Sequence, residues 1–407
     1  MIKYSELLEI LNESKEENHL LLANGFNYSL GVNTGYQNIF EKMKEKYEGY
    51  EDLNTGDNFD IEHIIGELKS QIHSKSSFKE FLDKYINNKV KSDFMKAAYE
   101  IAKNGIKNIY QEKNKGIGLL FKNFNNYFTL NYDPFLYLLL MKFKGSNSKS
   151  VISFQNTLEF KIEDLNIKDN DLYQVIKNIY LTYSKELIDE SGGEIIRKPM
   201  SLLNKADFER QLKDILKAQN KKFKKEYLSA LYEELKETEI SLDINDGFIG
   251  ELFNTKPSID NYTQNVFFLH GSFHIYKDKK SIYKITKTQD KALYERLDEI
   301  IGDENKEIVS VFTNDSKALE IEENEYLVKG IEKLRNINGS LVIIGSSLAE
   351  NDEHIFNALN ESLVTKVFYA SNDKGKTSDH NRLIELFPNK EIILFDRDTI
   401  SYEKQEV

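Results

Sequence analysis

Cysteine and tryptophan are absent from the 407 residues, and proline occurs only four times. Without cysteine there can be no disulfide framework, no thiol nucleophile and no zinc site built from thiolates. The absence also suits a reducing compartment. No stretch is rich in proline, glycine or serine, so no flexible linker stands out. Long hydrophobic runs are missing too. The longest, such as Phe135 to Met141, fall far short of the roughly 20 residues that cross a bilayer. The opening MIKYSELLEILNESKEEN alternates charged and apolar residues and lacks the apolar core of a signal peptide. A cytoplasmic protein with no membrane role is expected.

An excess of positive charge is also missing. The net charge is −12, whereas a domain that tracks a phosphate backbone usually carries a basic face. Lys221, Lys222, Lys224 and Lys225 form a local basic cluster, but interleaved apolar residues make it read as the solvated face of a helix. Nucleic acid is not the favoured partner. What the chain does have is 40% hydrophobic and 12% aromatic residues, the latter 25 Phe and 23 Tyr. That is a globular composition. The length allows two to three pieces of about 150 residues each.

Short apolar runs alternate with long helical stretches. Leu20 to Ala23 reads as a buried strand ending in the turn Asn24-Gly25, and residues 35–48 read as a helix. Tyr127 to Leu130 and Val266 to Leu269 are further strands, the second ending at His270-Gly271. Ser272 to Ile285 suggests a hairpin. Then the rhythm becomes regular. Strands at Ile308–Phe312, Leu341–Ile344, Val367–Ala370 and Ile392–Phe395 alternate with helices at 323–337, from 352, and between the last two strands. Such alternation implies a parallel sheet covered on both faces. The expectation is therefore a single discontinuous α/β domain over 1–407, of Rossmann type, with helical insertions at 50–120 and 160–250. Gly192-Gly193 marks a turn within the second.

Ligands of open α/β sheets lie beyond the carboxyl ends of the strands. Four such ends carry polar clusters: Ala23 to Ser29, Thr129 to Asp133, His270 to Ser272, and Gly345 to Leu348 followed by Glu350, Asn351, Asp352 and His354. Singly, each has a structural explanation. Gly25 can supply a tight turn, Asn27 or Ser29 can cap a helix, Asn131 and Asp133 can start the turn before Pro134, and Asp352 is a natural helix cap. Together they outline a cleft. Small residues let backbone approach a pyrophosphate, helix N–H groups favour anions, and an Asn and a His reach in from neighbouring strands. The pattern GxxxxGK[ST] is absent, which argues against an ordinary NTPase.

At these positions the chain resembles the SIR2-like superfamily. Ala23 to Asn27 stands in for its Gly-Ala-Gly-Ile-Ser-type turn and Thr129 to Asp133 for its Thr-Gln-Asn-Ile-Asp stretch. His270-Gly271 and Gly345-Ser346-Ser347 match its His-Gly pair and its late Gly-Thr/Ser-Ser turn. The likeness spans roughly residues 20 to 375 and is closest to uncharacterised bacterial SIR2-like proteins, through Ser347 to Ile355. Asn24 to Asn27 and Thr34-Gly35-Tyr36 also look like the abortive-infection H phage-resistance family. Two departures stand out. The four zinc cysteines of sirtuin deacetylases are missing, which speaks against protein deacylation, and Ala23 occupies the place of the first glycine in the phosphate turn.

The resemblance implies NAD as substrate, hydrolysed to nicotinamide and ADP-ribose during anti-phage defence by abortive infection. It assigns Asn131 and His270 to catalysis. Ala23, Asn24, Gly25, Phe26 and Asn27 would face the pyrophosphate and nearby ribose, Asp133 the nicotinamide carboxamide, and Gly345, Ser346 and Ser347 the adenosine end. No metal is expected. A homo-oligomer is expected, and a phage-derived trigger or partner defence protein is conceivable. The competing reading is a non-catalytic sensor that binds NAD or ADP-ribose in the same pocket. Glu350, Asp352 and His354 are read as structural, capping the next helix or making an oligomer contact.

Overall fold

A computed structural model describes residues 1–51, 78–141, 196–197, 205–218, 228–229, 231–233, 239–240, 244, 246–249, 252–253, 264–278, 281–286, 291–301, 303, 306–311 and 317–403. Gly192-Gly193 and the Lys221–Lys225 cluster lie outside these residues. The chain forms two compact units, one of Met1–Leu139 with Phe267–Val407, the other of Leu140–Val266. The second unit is thus wider than the 160–250 insertion expected above. The helix expected within 50–120 belongs to the first.

In the first unit, helix α1 (Tyr4–Glu13) leads into strand β1 (Asn18–Leu22), which is buried at every position. Helices α2 (Asn24–Ser29), α3 (Tyr36–Lys46), α4 (Phe78–Ile109) and α5 (Ile117–Phe121) precede β2 (Asn126–Thr129), which α6 (Phe135–Leu139) follows. A strand buried on both faces takes nearly continuous apolar sequence, and β1 reads Asn-His-Leu-Leu-Leu. Its polar His19 is tolerated because it is neutral and fully bonded. Burial lowers its pKa from 6.5 to about 4. The Asn126 amide donates to Nδ1 at 2.9 Å, which leaves Nε2–H to donate to the Asn338 carbonyl at 2.7 Å.

The second unit holds β3 (Ile196–Arg197), the amphipathic α7 (Lys205–Ala218), β4 (Glu239–Ile240), β5 (Phe248–Ile249) and β6 (Leu252–Phe253). Strands β3 and β4 pair antiparallel, as do β5 and β6. On α7, Phe208 and Leu212 are buried, and the Phe208 ring lies 5.5 Å from that of Tyr232.

The chain then gives β7 (Val266–Phe268), the hairpin β8 (Gly271–Asp278) and β9 (Ser281–Lys284), α8 (Leu293–Ile301) and β10 (Glu307–Ser310). Helices α9 (Lys317–Glu322) and α10 (Glu325–Arg335) lead to β11 (Asn338–Ile344). Next come α11 (Glu353–Glu361), β12 (Leu363–Ser371), α12 (Lys376–Leu386) and β13 (Glu391–Asp396). The α10 start is set by Asn324, whose side chain accepts from the Tyr326 and Leu327 amides.

Six strands form one sheet in the order β13-β12-β11-β1-β2-β7. The pairings of β1 with β11 and β2, of β11 with β12 and of β12 with β13 are parallel. This is a mostly parallel α/β fold, as the rhythm of strands and helices implies. Ranked along the chain, the strands run 3-2-1-4-5-6, the doubly wound order, which reverses between β1 and β11. One strand differs from expectation. The run at 308–312 does not extend the parallel sheet; β10 pairs antiparallel with β8. A short, largely apolar run carries no information about strand direction, so its neighbours in sequence suggested the wrong sheet. Among the described residues no helix is long and apolar enough to cross a membrane.

Candidate functional site

The turn after β1 and the turn after β11 meet where the strand order reverses. The Ala23 amide donates to the Ile344 carbonyl and the Gly25 amide to the Gly345 carbonyl, both at 2.9 Å. This contact explains both glycines. A Cβ on Gly25 would lie 2.6 Å from the Gly345 Cα, and Gly345 holds φ +82 with backbone of Gly25 and Phe26 against it. Ala23 is extended, at φ −130 and ψ −172, so alanine in place of glycine there costs no backbone strain. The Gly25 amide, being committed to Gly345, contributes close approach rather than a hydrogen bond to a ligand. Further along the second turn, buried Leu348 holds φ +55, a conformation that costs a non-glycine residue about 1–2 kcal/mol. Strain of this kind gathers at functional sites.

Above these turns opens a cavity of about 1100 Å³, slightly larger than the roughly 300–1,000 Å³ usual for small-molecule sites. Ala23, Asn24, Gly25, Asn131, Asp133, His270, Gly345, Ser346 and Ser347 all line it. Phe26 and Asn27 do not. Phe26 packs into the core, its ring 6.0 Å from Tyr402, and Asn27 is wholly buried behind the wall. Both were expected to face the ligand; α2 turns their side chains inward instead.

Asn27 works as a junction. Its Nδ2 donates to Asp133 Oδ2 at 2.5 Å and to Thr34 Oγ1 at 2.9 Å, while its Oδ1 accepts from Asn131 Nδ2 at 3.2 Å. The Thr34 hydroxyl in turn donates to Asn24 Oδ1. The Asn131 backbone is pinned as well, its N–H donating to Thr129 Oγ1 at 3.1 Å. Asp133 Oδ1 accepts from the Phe135 amide at 3.0 Å. Burial raises the Asp133 carboxyl from 3.8 to about 6, against the opposing pull of Asn27 and the Phe135 amide. Both of its oxygens therefore already accept bonds within the wall.

His270 sits in the turn just before β8, next to Tyr132, whose ring centre is 6.4 Å away. The Tyr132 hydroxyl donates to the Val311 carbonyl at 2.7 Å, and its own carbonyl accepts from Ser272 Oγ at 2.8 Å. Asp352 and His354 come from the first turn after the strained Leu348. His354 Nε2 lies 3.2 Å from His270 Nε2, and Asp352 Oδ1 lies 3.7 Å from the same nitrogen. Asp352 makes no side-chain cap bond to α11. The two residues read as structural thus sit at the site, and the signal was available: they follow a strand end, two residues apart.

Other lining residues had weaker signals. Tyr28, Tyr36 and Phe94 form an aromatic wall from α2, α3 and α4. From beyond the ends of β12 and β13 come Asn372, Arg397 and Asp398, and from the first turn of α12 comes Asp379. Both strands were legible in the sequence, and their polar carboxyl ends obey the same rule that located the first four clusters.

Fold and site together define a doubly wound α/β protein with a cavity of about 1100 Å³ at its switch point. The chain belongs to the family described as a domain of unknown function, DUF4917, which matches residues 146–390. His270 and Gly345 to Ser347 fall inside that span, whereas the Ala23 and Asn131 turns precede it. No curated protein matches the chain.

Proposed function

We propose that the protein is a SIR2-like NAD glycohydrolase, cleaving NAD to nicotinamide and ADP-ribose in anti-phage defence by abortive infection. The observation that carries this reading is the convergence of Asn131 and His270, from separate strand ends, on one switch-point cavity of dinucleotide size.

Cationic nicotinamide is already a good leaving group, so the protein must chiefly orient water and stabilise positive charge on the ribose. Asn131, held by Asn27 and by its own backbone bond, positions water or the ribose hydroxyls. The bond from ribose C1′ to the nicotinamide nitrogen breaks, its electron pair leaving with nicotinamide, and the lining carboxylates Asp133 and Asp352 favour the oxocarbenium-like ribose that develops as it does. Water oxygen then adds to C1′ and the water proton passes to His270. The paired turns at Ala23–Gly25 and Gly345–Ser347 offer backbone close to the pyrophosphate and adenosine, and Arg397 is a lining cation suited to a phosphate.

The test is incubation of the purified protein with NAD, following nicotinamide and ADP-ribose by chromatography, beside Asn131→Ala and His270→Ala. Release by wild type and not by the folded variants supports the reading. If NAD and ADP-ribose raise the melting temperature without release, the sensor reading takes its place. Release by all three proteins would sink the assignment of residues.

A further inference from the structure

The contact between His270 and His354 is not accounted for by the scheme above. The ring centres are 5.2 Å apart and the Nε2 atoms 3.2 Å, so the imidazoles meet through these nitrogens rather than face to face. Two imidazole nitrogens at this distance are held together by one proton. With none, two lone pairs oppose each other; with two, the hydrogens collide. Asp352 Oδ1, 3.7 Å from His270 Nε2, favours the proton and any further positive charge at this point. His270 is nearly buried, whereas His354 and Asp352 are only half-buried. A proton between the two nitrogens fits their 3.2 Å separation.

We propose that His270 and His354 act as a single base sharing one proton, with Asp352 balancing the charge gained when a second arrives. His354 is then a positioning residue. It acts through His270, fixing the ring and accepting part of the charge that the attacking water leaves there. The pair extends the hydrolase reading and rests on it for its substrate. It also makes Asp352 and His354 part of the reaction machinery, although they stand at the first turn of a helix.

Two measurements test this. The first is kinetic, comparing nicotinamide release by wild type, His354→Gln and His354→Leu. Leucine should lower kcat about 10- to 100-fold, less than loss of a whole general base, with KM within about twofold. Glutamine, which can still bond the His270 nitrogen, should recover part of the rate. The second does not depend on turnover. In protein labelled with 15N at histidine, a scalar coupling should appear between the His270 and His354 Nε2 nuclei across the shared proton, and it should vanish in His354→Leu. Coupling without NAD cleavage in wild type would keep the pair and retire the hydrolase reading. Cleavage without coupling, an unchanged kcat in His354→Leu, or loss of wild-type activity to a chelator would overturn the pair as a proton-sharing base.

Discussion

Asp133 offers a prediction whose size follows from its surroundings. The carboxyl is almost wholly buried, and burial lifts its pKa from 3.8 to about 6. The folded protein therefore holds this proton more tightly than the unfolded chain does. Stability from this group is fully present below the unfolded value, and is lost as the pH rises through the folded one. A shift of about two units amounts to about 3 kcal/mol in the limit. Between pH 7 and pH 5 the part gained is about 1 kcal/mol. Other groups oppose it. His19 and His274, with pKa values lowered to about 4 and about 3, lose stability as the pH falls below 6.5, and each can outweigh Asp133. The comparison must therefore be with Asp133→Asn, which keeps the shape and removes the titration. Urea unfolding of both proteins at pH 7 and pH 5 should show wild type gaining about 1 kcal/mol relative to the variant as the pH drops. A gap that stays constant, or moves the other way, would refute the claim that this carboxyl is buried and strained in its ionised form.

Three further outcomes are expected. Gly345→Val forces a β-branched side chain into φ +82 and against the backbone of Gly25 and Phe26; it should lower stability by about 2–5 kcal/mol from strain and overpacking together, read as a fall in the urea midpoint. Asn27→Leu leaves Asn131 without its side-chain restraint and Asp133 Oδ2 without the Asn27 donor; kcat for NAD should fall more than tenfold while thermal stability drops, although Asn27 does not line the cavity. His19→Asn removes a buried imidazole that must stay neutral; the loss of melting temperature between pH 6.5 and pH 4.5 should be shallower in this variant than in wild type, as differential scanning fluorimetry would show.

The sheet was legible because its strands are buried on both faces and so appear as short apolar runs, β1 and β11 above all. The pocket was legible because polar residues gather where those runs stop. What was not legible depends on geometry across the sheet. The direction of β10 is set by the β8–β9 hairpin beside it, which a run of four residues does not announce. The inward turn of Phe26 and Asn27 follows from a short helix whose phase relative to the cavity no local pattern reveals. Asp352 and His354 looked like helix-start residues, and they do stand at one. Only the fold shows that the same turn carries them to His270, which lies 84 positions before His354 in sequence.

The most direct test of the account is a time course of NAD with wild type and with the Asn131→Ala, His270→Ala double variant, both shown to be folded. The account predicts nicotinamide and ADP-ribose appearing in equal amounts with wild type and neither with the variant. Equal rates for the two proteins, or intact NAD with no stabilisation of wild type by NAD or ADP-ribose, would contradict it.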